Sequence, residues 1–232
     1  MANSRVDAGV AYDAVLFDLD GTLIDTAPDM VAVLQELQAD NGIQPVDYDF
    51  GRSNVSNGAI GLLKIGFPDR EIIVNSALHL DYLDRYASRV CVDSGLFDGL
   101  GALLEGLEAA GRPWGIVTNK PEHLTLPLLE ALGLKDRSAC TVSGDTLPVR
   151  KPDPAPLLHA CEIAGIDPLR ALYVGDAERD IAAGRAAGMK TIAALYGYIT
   201  ADDSPEGWGA DLIAADTAEL TQLVGKAVSL EA

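Results

Sequence analysis

Val15-Leu16-Phe17-Asp18-Leu19-Asp20-Gly21-Thr22 decides how the rest of this chain is read. Its first residues are a short apolar run with no polar alternation, the pattern of a strand buried on both faces of a parallel sheet. The run then delivers two carboxylates two residues apart. Open α/β sheets bind ligands just beyond the carboxyl ends of their strands, so Asp18 and Asp20 are placed in a crevice, and Gly21 lets the chain turn away. A strand followed by a polar turn gives the same local pattern, because Asp and Gly are common in turns. The remaining sequence has to separate the two readings.

Downstream, strand and helix signals alternate. Trp114–Val117, Cys140–Val142, Ala171–Val174 and Thr191–Leu195 read as strands, the last being the final clear one. Leucine-striped helices lie between them, over Leu100–Leu107, Leu124–Leu132, Pro154–Ala164 and Asp180–Ala187, stopped by Gly111, Gly133, Gly165 and Gly188. Pro127 is placed to kink the second. Strands alternating with helices predict an α/β fold with a doubly wound parallel sheet. Between the first strand and about Ser94 no strand signal occurs. Thr26-Ala27-Pro28-Asp29 reads as a helix start, with Thr26 capping and Asp29 in the first turn. Ile60, Leu63, Ile72, Ile73, Leu80, Leu83 and Val90 fit amphipathic helices, with a polar loop at 51–58 and a break at Gly66-Phe67-Pro68-Asp69. Residues 26–94 are thus expected to form an α-helical insertion into a core made of 1–25 and 95–232, with a loose leader at 1–12.

The chain has 232 residues, is 48% hydrophobic and carries a formal charge of −18. Such acidity argues against nucleic-acid binding, which needs Lys and Arg against phosphate, and against attraction to an anionic membrane. It serves solubility, and it makes a divalent cation useful if the ligand is anionic. Cys91, Cys140 and Cys161 have neither disulfide nor zinc spacing. There is no signal-peptide pattern and no apolar run of spanning length, so a cytoplasmic location is expected. His79, His123 and His159 are isolated and read as surface or packing residues, as do Tyr196, Tyr198 and Trp208.

Four strand ends share one chemistry: Asp18 and Asp20; Thr118, Asn119 and Lys120; the loop Arg150-Lys151-Pro152-Asp153-Pro154; and Gly175-Asp176 through Asp180. Carboxylates converging on one crevice repel unless a hard cation joins them, and Mg²⁺ takes oxygen ligands shared with phosphate. Thr118 and Asn119 offer donors to phosphoryl oxygens, and a lysine offers a compact positive charge. One carboxylate is then free to attack phosphorus and another to handle the leaving-group proton. Taken singly, each piece has a plainer account: Thr118-Asn119 as a turn, Lys151 as a solvated loop lysine, Asp176 as a helix cap, Asp180 as a surface charge.

In order and spacing these pieces resemble the four motifs of the haloacid dehalogenase-like hydrolases: Asp18-Leu19-Asp20-Gly21-Thr22, Val117-Thr118-Asn119, Lys151-Pro152-Asp153-Pro154, and Gly175-Asp176 to Asp180. The resemblance implies that 26–94 is the family's cap. It implies Asp18 as nucleophile and Mg²⁺ ligand, and Asp20 as general acid and base with its backbone carbonyl on the metal. Thr118 and Lys151 would steady the phosphoryl group, Asp176 would be the third metal ligand, and Asp180 would support from behind. Dehalogenase members lack an acid at the position of Asp20, which favours phosphoester cleavage. Within the family the chain is similar to the phosphoglycolate phosphatase type. Ser94–Gly99, Trp114–Pro121 and Tyr196-Gly197-Tyr198-Ile199 with Trp208–Asp211 further resemble N-acetylmuramic acid 6-phosphate phosphatases. The implied partner is a small phosphate ester, with the chain as monomer or homodimer. Cap residues Arg52, Ser53, Asn54, Ser56 and Asn57 are the specificity candidates, Arg52 toward a substrate carboxylate, although a solvated loop arginine fits equally. A sugar phosphomutase and a phospho-accepting signalling domain are the competing readings.

Overall fold

The computed structural model describes residues 12–230. Strand β1 (Ala14–Phe17) is buried at every position and sits at the centre of a six-stranded sheet. Its side chains alternate between two cores. Val15 and Phe17 join Trp114, Ile116, Leu172 and Val174 on one face, while Leu16 joins Val117, Ala171 and Tyr173 on the other. An apolar run without alternation is therefore what this position needs.

β1 pairs in parallel with β4 (Trp114–Val117) on one side and β6 (Ala171–Gly175) on the other. β5 (Thr141–Val142) lies outside β4, and β7 (Lys190–Ala194) and β8 (Leu212–Ala214) lie outside β6. The order is β5-β4-β1-β6-β7-β8, all parallel. The chain moves outward from β1 in one direction and then in the other, so β1 marks the switch point where such sheets open a crevice. Helices α5 (Leu100–Ala109) and α9 (Thr217–Ala227) pack with the first core, and α7 (Ala155–Ala164) and α8 (Glu178–Ala186) with the second. Helix α6 (Glu122–Ala131) runs on through Pro127. This is the expected doubly wound α/β architecture. Gly165 adopts φ +67° and ends α7 as a left-handed cap.

Between β2 (Ile24–Asp25) and β3 (Gly95–Leu96), which pair antiparallel as a two-residue ribbon, the chain is helical: α1 (Ala27–Asp40), α2 (Tyr48–Ser53), α3 (Gly58–Gly66) and α4 (Ala77–Ser88). Several local expectations are corrected. The loop expected at 51–58 is instead the end of α2 and a 3₁₀ turn, Val55–Asn57. Asp47 explains the helix, because its carboxylate accepts from the N–H groups of Asp49 (2.9 Å) and Phe50 (3.3 Å). Ile72, Ile73 and Val90 lie outside helices, since α4 starts only at its Ser76 cap and ends at Ser88. Thr26 makes no capping bond. The Tyr198 hydroxyl accepts from the N–H groups of Thr26 (2.7 Å) and Ala27 (2.9 Å) in its place.

Asp29 is in the first turn as expected, but it is fully buried. It accepts four hydrogen bonds, from the N–H groups of Val92, Asp93 and Ser94 and from the Ser94 hydroxyl, at 2.7–3.0 Å. It thereby ties the entry of the helical insertion to its exit. The sheet also continues beyond the strand expected to be last: β8 is three residues long, with Ile213 exposed at its edge. The expected leader lies outside the described residues except Tyr12, which is buried and bonds Ala227.

Candidate active site

Phe17 is in register with Ile116 of β4 and Val174 of β6. The residues that follow, at 18, 118 and 176, therefore leave the sheet along one edge. The carboxylates of Asp18, Asp176 and Asp180 come within 4.8 Å of one another there, and all three residues are buried. Lys151 reaches into the cluster from its loop. Its ammonium lies 2.7 Å from Asp18 Oδ1 and 2.7 Å from Asp180 Oδ1, and it donates to the Val117 carbonyl and the Tyr173 hydroxyl at 2.8 Å each. With 3% exposure, Lys151 is not a solvated loop lysine. Nor is Asp180 a surface charge: its Oδ2 accepts from the Ala177 N–H at 3.1 Å, holding the start of α8.

The electrostatics are unbalanced. Burial, reinforced by the Asp180 carboxylate, pushes Asp18 up to about 6 against the pull of Lys151. Burial and repulsion from Asp18 and Asp180 push Asp176 up to about 7. Three hard oxygen donors that close, two of them disfavoured as anions, fit a small divalent cation. Gly21, at φ +84°, brings the backbone against this cluster, and a Cβ there would strike the Asp176 carboxylate and the Tyr198 ring. Asp176 Oδ2 accepts from the Tyr198 N–H at 2.8 Å and from the Ser56 hydroxyl at 2.7 Å.

Asp20 stands apart from the carboxylate cluster. Its Oδ1 accepts from the Thr26 hydroxyl at 2.7 Å and from the Lys120 ammonium at 2.9 Å, and Lys120 also donates to Tyr86 at 2.8 Å. Lys120 thus serves a carboxylate of the site. Thr118 is buried, and its hydroxyl accepts from the Lys120 N–H at 3.1 Å. The Asn119 side chain bonds within the chain. Its amide donates to the Lys151 carbonyl (3.0 Å) and accepts from the Lys151 N–H (3.1 Å), so it holds the lysine loop in place.

A cavity of about 720 Å³ opens over Asp18 between the sheet edge and the helical insertion. Asp20, Thr118, Asn119, Lys120 and Arg179 line its floor. Val55–Ile60, Asn75, His79, Tyr82 and Tyr86 line its roof. Ser56 and Asn57 face it as expected, whereas Arg52, Ser53 and Asn54 are not among its lining residues. Arg52 lies 3.6 Å from Asp25 and 5.0 Å over the Tyr198 ring, and Ser53 and Asn54 bond the Phe50 carbonyl. His79 and His123, read from sequence as ordinary residues, are on the cavity wall. Arg179 lies within the fourth motif, where sequence reading assigns it no role. It donates to the Ser56 carbonyl at 2.9 Å. Its only sequence signal is a position inside the turn that carries Asp176 and Asp180.

Comparison with known proteins agrees with this geometry. The family model of haloacid dehalogenase-like hydrolases matches residues 12–188. The chain is 43% identical over 216 residues to an N-acetylmuramic acid 6-phosphate phosphatase of Pseudomonas putida, covering 93% of this chain and 97% of that one. It is 44% identical over 207 residues to a phosphoglycolate phosphatase of Xanthomonas campestris pv. campestris, covering 89% and 94%. The crystal structure of a predicted phosphoglycolate phosphatase from Haemophilus somnus superimposes with a TM-score of 0.80 at 26% identity, over 91% of this chain and 97% of that one. The chain belongs to the haloacid dehalogenase-like hydrolases. Within them it is a phosphatase. Among the described residues, no helix is long and apolar enough to cross a membrane.

Proposed function

We propose that the chain is a Mg²⁺-dependent phosphomonoesterase, with Asp18 as nucleophile and N-acetylmuramic acid 6-phosphate as substrate. One observation carries the reading: a buried carboxylate, Asp18, sits at the floor of a large cavity inside an acidic cluster and against the buried Lys151 ammonium. Asp18 and Asp176, with the Asp20 carbonyl, would hold the ion. Asp180 is already engaged by Lys151 and the Ala177 N–H, which suits a supporting role. Mg²⁺ held there would supply positive charge against the phosphoryl oxygens.

The chain's own residues account for the rest. An Asp18 oxygen attacks phosphorus, the ester P–O bond breaks, and the leaving oxygen takes a proton from Asp20, giving an aspartyl phosphate and the free alcohol. Water then attacks the acyl phosphate, Asp20 takes its proton, and inorganic phosphate leaves with Asp18 restored. Thr26 and Lys120 hold one Asp20 oxygen from the side, which orients the carboxyl as a proton carrier. Lys151 and the Thr118–Asn119 turn place positive charge and donors where the transferring group gathers negative charge.

For the substrate, cavity size supports the sugar. Cavities that enclose drug-sized ligands run from roughly 300 to 1,000 Å³. A volume of about 720 Å³ suits a phosphorylated acetamido sugar better than a two-carbon acid. Relatives named for both substrates cover the chain at similar identity. The test is a comparison of kcat/KM on N-acetylmuramic acid 6-phosphate, 2-phosphoglycolate and p-nitrophenyl phosphate, with released phosphate measured. Wild type is expected to prefer the sugar and to release one phosphate per ester. Asp18→Asn is expected to be inactive on all three. Normal turnover by Asp18→Asn overturns the nucleophile, recovery of an isomeric sugar phosphate points to a mutase, and preference for 2-phosphoglycolate overturns the sugar.

A further inference from the structure

Ser56 belongs to the helical cap, yet its hydroxyl lies 2.7 Å from Oδ2 of Asp176 on the core, 120 residues away in sequence. That oxygen also accepts the Tyr198 N–H at 2.8 Å. Two donors, one from each side of the interface, therefore fix the same oxygen. Oδ1 has a single longer contact, the Thr22 hydroxyl at 3.5 Å. The Ser56 carbonyl in turn accepts from Arg179 at 2.9 Å. The 55–57 turn is thus latched to the core through both its side chain and its backbone. Ser56, Asn57 and Arg179 also form the partition between the large cavity and a second one of about 330 Å³ beside Asp176.

We infer that Ser56 is a positioning residue for the metal ligand Asp176, so that cap closure and Mg²⁺ binding are one coupled equilibrium. The inference rests on the Mg²⁺ reading above. Carboxylates that ligate metals are themselves oriented by hydrogen bonds, and loss of such a partner weakens binding by roughly 10–100-fold. Here one of those partners is on a separate element. With the cap closed, Asp176 is pinned with Oδ1 presented. With the cap open, it keeps the Tyr198 bond and the long Thr22 contact, and its Oδ2 loses one of two donors. Linkage makes the effect reciprocal: whatever closure adds to Mg²⁺ affinity, Mg²⁺ adds to closure.

The test uses the full chain and Mg²⁺ alone, without substrate. Calorimetric titration of wild type, Ser56→Ala and Ser56→Thr gives the Kd. Hydrogen exchange over 54–66, with and without Mg²⁺, reports closure. Ser56→Ala is expected to bind Mg²⁺ about tenfold more weakly and to lose the Mg²⁺-induced protection of that segment, while Ser56→Thr, which keeps the hydroxyl, restores both. A Ser56→Ala Kd within twofold of wild type, in a variant with unchanged circular dichroism, overturns the inference. Tighter binding also overturns it, because Ser56 would then compete with the ion. Absence of Mg²⁺ binding by wild type overturns the metal reading itself, and this inference with it.

Discussion

Lys151→Met removes one charge from the centre of the site and leaves the chain length of the side chain nearly unchanged. Lys151 is 3% exposed, and its ammonium has Asp18 and Asp180 each at 2.7 Å, with the Val117 carbonyl and the Tyr173 hydroxyl at 2.8 Å. Breaking a buried ion pair from one side costs about 3–5 kcal/mol, because the remaining charge stays desolvated. At about 2–4 °C per kcal/mol for a chain of this size, the melting temperature should fall by roughly 6–20 °C at pH 8 in EDTA. The deficit should shrink on acidification. Asp18 is already pushed up to about 6 by burial and Asp180, and losing Lys151 raises it further. A carboxyl whose folded pKa lies above its unfolded value is stabilising while protonated, and that stability is lost as pH rises through the folded pKa. Calorimetric melts of both proteins at pH 8 and pH 5.5 measure the two terms. A loss below about 1 kcal/mol at pH 8, or an equal loss at both pH values, refutes the claim that Lys151 neutralises these carboxylates.

The same sign governs the wild-type protein. Asp18 and Asp176 are raised to about 6 and about 7, so the chelated protein should gain thermal stability as pH falls from 8 to 5.5. Added Mg²⁺ should raise the melting temperature more at pH 8 than at pH 5.5, because the ligands must lose their protons; a pH-independent increment contradicts this. Asp29→Ala leaves three backbone N–H groups without their acceptor, which should cost about 2–4 kcal/mol and speed hydrogen exchange at 90–95; unchanged exchange there removes Asp29 as the tie between the two connections. Gly21→Ala adds a Cβ against Asp176 and Tyr198 at a positive φ, and the shift should lower kcat/KM by about 100-fold; near-normal turnover would show that the carboxylate can move without consequence.

How much of this was visible in the sequence depends on the range of the interaction involved. The sheet was readable because both faces of β1, β4 and β6 are buried, which forces unbroken apolar runs. Once the strands are placed, the convergence of residues 18, 118 and 176 follows from their ends. The two-residue strands β2 and β3 and the three-residue edge strand β8 are too short to carry a period. What sequence could not supply was the assignment of partners. Thr26 has a capping residue's identity, but Asp20 takes its hydroxyl and Tyr198 takes its place at the helix start. Asn119 looks like a phosphate donor, and its side chain grips the backbone of Lys151. Arg52 looks like a carboxylate receptor and is placed against Asp25 and Tyr198 of the chain itself. In each case the residue type is as readable as any other, and a contact across dozens of residues decides its use.

Tyr198 shows why those long-range contacts matter to the chemistry. Its N–H holds Asp176, its hydroxyl accepts the N–H groups of Thr26 and Ala27 at the start of α1 and donates to Asp25 at 2.7 Å, and its ring carries Arg52. A single residue in the loop that follows β7 therefore fixes a carboxylate of the acidic cluster and the start of the helical insertion together. Ser56 makes the corresponding link from the other side. Asp176 thus has one donor from a loop of the core and one from the roof of the cavity. Because the three clustered carboxylates outnumber the neighbouring cations Lys151 and Arg179, a phosphate ester adds to an existing excess of negative charge. An arrangement that couples roof position to the orientation of Asp176 would make the compensating cation bind best when the cavity is closed, the state in which exclusion of water strengthens every electrostatic contact within it.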